Sequence, residues 1–164
     1  MPTQTGGDHP RAPEGPGEGV RMKAEEVTRL LGENAREVRV VNERCLFART
    51  DPEKLHAILR ELRSNGVTHI SAITGVDTGE NIEVIYHFDC RPAELNLKIS
   101  LPKSDPRIWT ITEIYPGAVF YERDLMEMLG VKVEGHPNPK RLFLPDDWPE
   151  GEYPLRKEWR EKRT

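Results

Sequence analysis

The sequence predicts an α+β fold: a mostly antiparallel sheet with helices packed on one face, followed by an extended C-terminal tail. Three observations predict it. NIEVIYHFD and LNLKISLP alternate apolar and polar residues, the period of half-buried strands. DPEKLHAILRELRSNG and AVFYERDLMEMLG carry apolar residues at helical spacing. GHPNPKRLFLPDDWPEGEYPLRKEW, Gly135 to Trp159, has neither period, but it holds five prolines and two tryptophans. Such a stretch builds no core of its own, yet it is too aromatic for an ordinary disordered tail.

The elements follow in order. Residues 1–20 are rich in glycine and proline, nearly devoid of large apolar side chains, and predicted to be disordered. A domain is predicted over 21–130. In AEEVTRLLGENA, Val27, Leu30 and Leu31 share a helical face, and Gly32 weakens or ends the helix. REVRVVNERCLFART reads as two short strands around an Asn42-Glu43 turn. Asp51 suits an N-cap and Pro52 the first helical position. Leu55, Ile58, Leu59 and Leu62 form the stripe of the next helix, closed by Asn65-Gly66. A β-rich stretch, VTHISAITGVD, precedes the DTGEN turn, whose flanking Gly75 and Gly79 read as turn glycines. In the two alternating strands, Ile82, Val84, Tyr86 and Phe88, then Leu95, Leu97, Ile99 and Leu101, face inward. Asn96, Lys98 and Ser100 face outward, so an antiparallel meander has one wet face. Thr110-x-x-Glu113 fits a capping box opening a short helix. Val119, Phe120, Leu125, Met128 and Leu129 are spaced for burial on the last helix, which ends at Gly130. The tail is 131–164.

The chain has 164 residues, 32% of them charged, a net charge of -4 and a mean hydropathy of -0.67. This is a polar but foldable composition, and the acidic balance argues against nucleic acid as a partner. Cys45 and Cys90 form no CxxC, so free thiols in a reducing compartment are expected. No apolar run approaches the ~20 residues that cross a bilayer. The N-terminus lacks the apolar core of a signal peptide, which predicts a cytosolic chain.

Chemical motifs are scarce. There is no nucleophile elbow and no phosphate cradle. His69, His87 and Cys90 make an incomplete zinc set that lacks a fourth ligand. The alternative is a solvent-facing His87 and a small buried Cys90. Glu25-Glu26 suits the first turn of a helix, and Asp146-Asp147 a turn or cap before Trp148. Glu122-Arg123-Asp124 places three consecutive charges inside an apolar helix. Either they form a solvated face with local ion pairs, or they meet partners on another chain. Periodicity does not choose between these.

From Tyr121 to Trp159 the sequence resembles the 30 kDa subunit family of respiratory complex I, the NADH-quinone oxidoreductase. The residues that carry the resemblance are Glu122-Arg123-Asp124, Glu127-Met128-Leu129, His136-Pro137 and Lys140-Arg141-Leu142. Trp148, Gly151 and Pro154-Leu155-Arg156-Lys157-Glu158 match the closing segment. Asp124 departs from the family by one methylene, since Glu is usual there. TGVDTGENIEVIYHF is similar to the family's central hairpin, and the resemblance runs from Lys23 to the end.

The resemblance implies a non-catalytic subunit with no redox centre or metal of its own. It implies docking on a large catalytic subunit, hydrogenase-like or quinone-binding, beside iron–sulfur subunits. Iron–sulfur clusters, and in one branch a [NiFe] site, then belong to the partners. The chain would sit on the cytoplasmic side of the cell membrane, peripherally, touching the membrane arm only indirectly. LPDDWPEGEYPLRKEW looks more like the membrane-bound [NiFe] hydrogenase branch than the NADH/quinone or sulfur-reducing ones. The partner-binding residues would be Glu122, Arg123, Asp124, Glu127, His136, Pro137, Arg141, Leu142, Trp148, Tyr153, Pro154, Leu155, Arg156 and Lys157. Of these, His136, Arg141, Trp148 and Arg156 should matter for assembly and not for the stability of the isolated domain. Two alternatives of another class are a stand-alone enzyme using Glu122, Asp124 and His136 as acid–base groups, and a cytosolic adaptor.

Overall fold

A computed structural model describes residues 21–162. The disorder expected for residues 1–20 lies outside the described residues. Helix α1 spans Ala24–Leu31, opened by Glu26 accepting from the Lys23 N–H at 2.7 Å. Strands β1 (Arg36–Asn42) and β2 (Cys45–Arg49) form the expected hairpin. Helix α2 (Pro52–Ser64) begins at Pro52. Asp51 holds the N-cap backbone position, but its carboxylate pairs with Arg36 at 2.7 Å rather than capping the helix.

Strands β3 (Ile70–Asp77), β4 (Asn81–Asp89) and β5 (Glu94–Pro102) make the antiparallel meander. The five-stranded sheet has the order β1-β2-β5-β4-β3, and only β2 and β5 run parallel. The fold is therefore α+β with a mostly antiparallel sheet, as predicted. The inward faces of β4 and β5 are fully buried beneath α1 and α2: Ile82, Val84, Phe88, Leu95, Leu97 and Ile99 are 0% exposed. The opposite face is polar and cross-bonded. Glu83 pairs with Arg49 at 3.1 Å and Lys98 at 2.9 Å. His87 bonds Thr74 and Asn96, and Asn96 donates to the Leu46 carbonyl. So His87 is half-buried, and Asn96, though on the expected face, is buried within this network.

Two local expectations are corrected. Thr110-x-x-Glu113 opens no helix; the chain makes turns there, because the Thr110 hydroxyl is bonded to Glu122 instead. Gly75 is not a turn glycine. It lies inside β3 opposite Val84, and a Cβ there would stand 2.7 Å from Leu125 on helix α3 (Val119–Leu129). The missing side chain lets α3 pack directly on the sheet. Gly79, with φ +111°, does sit in the turn, where its N–H donates to Asp77.

The segment after Gly130 takes a different form from an extended tail. Strand β7 (Lys132–Glu134) pairs in parallel with β6 (Arg107–Trp109), and Val131 and Val133 join the same buried core as the sheet. Irregular chain follows, and helix α4 (Lys157–Glu161) closes it. The packed body therefore continues past Gly130.

Candidate functional site

Helix α3 is where most of the singled-out residues converge. Its buried positions are Glu122, Arg123, Leu125, Glu127 and Leu129. Three of those five are charged. Phe120, expected in the core, is 60% exposed. The apolar stripe of this helix is narrow because its charged residues are needed inside.

Each buried charge meets backbone. Glu122 is 2% exposed and accepts from the Thr110 hydroxyl at 2.6 Å and the Ile111 N–H at 2.7 Å. Burial raises its carboxyl above the usual range, and these two bonds oppose the rise. His136 Nε2 stands 3.8 Å from it. That nitrogen donates to the Val119 carbonyl at 3.0 Å, while Nδ1 accepts from the Asn138 N–H. Both bonds require the neutral tautomer with its proton on Nε2.

Arg123 and Glu127 lie one turn apart and divide the peptide groups of one loop between them. The Arg123 guanidinium donates to the carbonyls of Lys140 at 2.7 Å and Arg141 at 2.6 Å. The Glu127 carboxylate accepts from the N–H groups of Leu142, Phe143 and Leu144, at 2.6, 2.9 and 3.3 Å. Charge-assisted bonds of this kind are about twice as strong as neutral ones. The loop over 140–144 is thus held along α3 without burying a side chain.

The rest of the segment is tied in similar ways. Arg141 donates to the carbonyls of Pro145 at 2.8 Å and Trp148 at 2.9 Å, rigidifying its own loop. Trp148 donates its ring N–H to the Glu152 carbonyl and packs against Trp159, with ring centroids 5.7 Å apart. Tyr153 covers Gly130, whose φ of +69° ends α3; a Cβ there would meet the ring at 2.5 Å. The Leu155 N–H and the Arg156 guanidinium take the last α3 carbonyls, Met128 at 3.0 Å and Leu129 at 2.7 Å. Arg156 also lies 4.7 Å from the Tyr153 ring centroid. Pro137 and Lys157 are exposed, Leu142 and Pro154 half-buried, and Leu155 46% exposed.

The far end of the segment is anchored by residues that sequence reasoning did not single out. Asp77, buried in the β3–β4 turn, accepts from the Lys157 N–H at 2.8 Å and the Lys103 ammonium at 2.7 Å. Lys103 also reaches Glu158 at 2.6 Å. Burial alone would raise the Asp77 carboxyl; Lys103 and the N–H groups of Lys157 and Gly79 outweigh it and lower the pKa to about 2. The Asp-x-Gly spacing of DTG was the available signal, since Asp side chains commonly accept from the N–H two residues on.

The chemistry of this arrangement is structural. Glu122 and His136 come together but are buried, and Asp124 lies on the opposite side of the helix. Two surface pockets, of about 370 Å³ and 480 Å³, are lined by Arg123, Glu127, Trp148 and neighbours, and by His56, Trp109 and neighbours. Neither is lined by Glu122, Asp124 or His136. Among the described residues no cluster of His, Cys, Asp or Glu is arranged to hold a metal ion. None of the described helices is long and apolar enough to cross a membrane.

Comparison with known proteins places these features in a family. A subunit of the NADH-quinone oxidoreductase from Moorella thermoacetica is 35% identical over 113 residues, 66% of this chain and 75% of its own. The membrane-bound hydrogenase subunit beta of Pyrococcus furiosus is 36% identical over 115 residues, 67% of this chain and 65% of its own. The chain spans 66% of the length of another curated relative and 39% of a third. A chain in the structure of the membrane-bound sulfane sulfur reductase, an archaeal respiratory membrane complex, superposes with a TM-score of 0.74 at 31% identity, covering 82% of this chain and 84% of that one. Residues 48–164, from β2 through α4, match the description of the respiratory-chain NADH dehydrogenase 30 kDa subunit, and the chain belongs to that family.

Proposed function

We propose that this chain is a non-catalytic subunit of a membrane-bound oxidoreductase complex, docking its large catalytic subunit in the peripheral electron-transfer arm. The observation that carries this reading is the use of the motif charges. Glu122, Arg123, Glu127 and Arg156 are spent on fixing an aromatic, proline-rich segment against α3. That segment keeps Phe143 at 65% and Leu155 at 46% exposure on a rigid frame. Rigid exposed apolar side chains lose little entropy on docking, which favours tight association.

Redox chemistry in this reading belongs to the partners: iron–sulfur clusters, and a [NiFe] site in the hydrogenase branch. The chain lies peripherally on the cytoplasmic side of the membrane, held through its partners. The likeness to the Pyrococcus furiosus hydrogenase subunit and to the sulfane sulfur reductase chain supports the hydrogenase-type branch over the NADH/quinone type. Purification of the native complex through a tag on this chain tests the proposal. The expected result is recovery of a large subunit and iron–sulfur subunits, with hydrogen evolution in the eluate. NADH oxidation or sulfane reduction without hydrogen evolution would reassign the branch. Recovery of the chain alone, without oxidoreductase subunits, would overturn the docking role.

A further inference from the structure

One member of the charged triplet remains unused. Asp124 is half-buried on α3, and among the described residues it makes no hydrogen bond or ion pair. The helix supplies no cation at the positions that could reach it: Phe120 and Tyr121 precede it by one turn, and Glu127 and Met128 follow. The nearby cations are already engaged. Arg123 is bonded to the Lys140 and Arg141 carbonyls, Arg141 to its own loop, and Arg156 to Leu129. Burial, and then the Glu127 carboxylate, raise the Asp124 carboxyl. Its charged form is therefore poorly compensated within this chain.

The face it occupies is apolar. Phe120 and Asp124 are one turn apart, on the side of α3 away from Leu125 and Leu129. Phe120 is 60% exposed, and Phe143, held by its N–H on Glu127, is 65% exposed. A carboxylate flanked by exposed aromatic rings suits an arginine or lysine whose stem lies on the rings while its charge meets the acid. We propose that the Phe120–Asp124 face of α3, with Phe143 beside it, is the contact surface for a cationic side chain of the large subunit. This rests on the docking role proposed above and adds which surface makes the contact and through what chemistry. Glu122, by contrast, is sealed inside by Thr110 and Ile111. The two acids of the triplet thus divide the work: one closes the fold, the other faces outward.

The test uses the full chain in its native complex. A photo-crosslinking p-benzoylphenylalanine at position 120 is expected to join the large subunit at a peptide containing Arg or Lys. Asp124→Arg is expected to reduce the recovered large subunit about tenfold, in the range seen when interfacial charges are opposed. Asp124→Glu should retain it. Thermal melting of the free Asp124→Arg chain checks that the fold is intact, and Asp124→Asn, which opposes no charge, should give an intermediate loss. A crosslink to a second copy of this chain, or undiminished recovery with Asp124→Arg, overturns the proposal while leaving the docking role standing. Absence of the large subunit from the wild-type eluate overturns both.

Discussion

Leu97 in β5 and Phe143 beyond β7 are both large and apolar, yet Leu97 is 0% exposed and Phe143 65%. The sheet and its helices are held by side chains removed from water. No residue of 137–162 is fully buried, and that segment is held by backbone groups bonded to charged side chains. The difference shows how a segment too rich in proline for sheet or helix stays ordered. Its peptide groups have no ladder to join, so α3 and the β3–β4 turn supply the partners.

This contrast can be broken at several points. Leu97→Ala is expected to cost ~2–5 kcal/mol by opening a cavity in the core, read as a lower urea midpoint for the whole chain. A loss confined to the C-terminal segment would contradict the division. Glu127→Ala strands three loop N–H groups and is expected to cost about 2 kcal/mol. Here the damage should be local: faster protease cleavage within 137–156, with amide exchange in β4 and β5 unchanged. Faster exchange across the whole sheet would show that the two regions unfold as one.

The Asp77 anchor gives a pH signature. Its folded pKa of about 2 lies below the ordinary value of 3.8, so its stabilisation is present above pH ~4 and lost as pH falls toward about 2. The loss is expected to reach up to about 2 kcal/mol. Release of Lys157 and α4 should change the fluorescence of the Trp148–Trp159 pair over that interval. Asp77→Asn should remove the acid-linked step; a step of the same size in that variant would place its origin elsewhere. The smallest effect is expected at Asp124. With no partner among the described residues to lose, Asp124→Asn should change the stability of the free chain by no more than about 0.5 kcal/mol. A loss above about 1 kcal/mol in a denaturation curve would mean that Asp124 supports the fold as Glu122 does.

The stability expected of the tail variants also changes. His136, Arg141 and Arg156 each bond carbonyls within this chain, so their loss weakens the fold as well as any assembly. The motif residues were visible in the sequence because the resemblance marked them. Their roles were not. Glu122-Arg123-Asp124 reads the same whether it faces water, a partner or the chain's own loop, because a hydrogen bond to a distant carbonyl leaves no local periodicity. Phe120 was misplaced for the related reason that charged residues took the interior positions of α3.

The sequence by itself determined the α2 helix, the three-stranded meander and the inward sets of β4 and β5. Alternation and helical spacing are imposed directly by burial, so they can be read residue by residue. It also marked Gly135–Trp159 as a stretch needing something to hold it. Only the tertiary structure decided what holds it: Arg123 and Glu127 along one face, Arg156 at the end of α3, and Asp77 across the sheet. Those bonds join backbone groups to side chains from 16 to 80 positions away. Any loop offers the same N–H and C=O groups, so only the fold could name the partners.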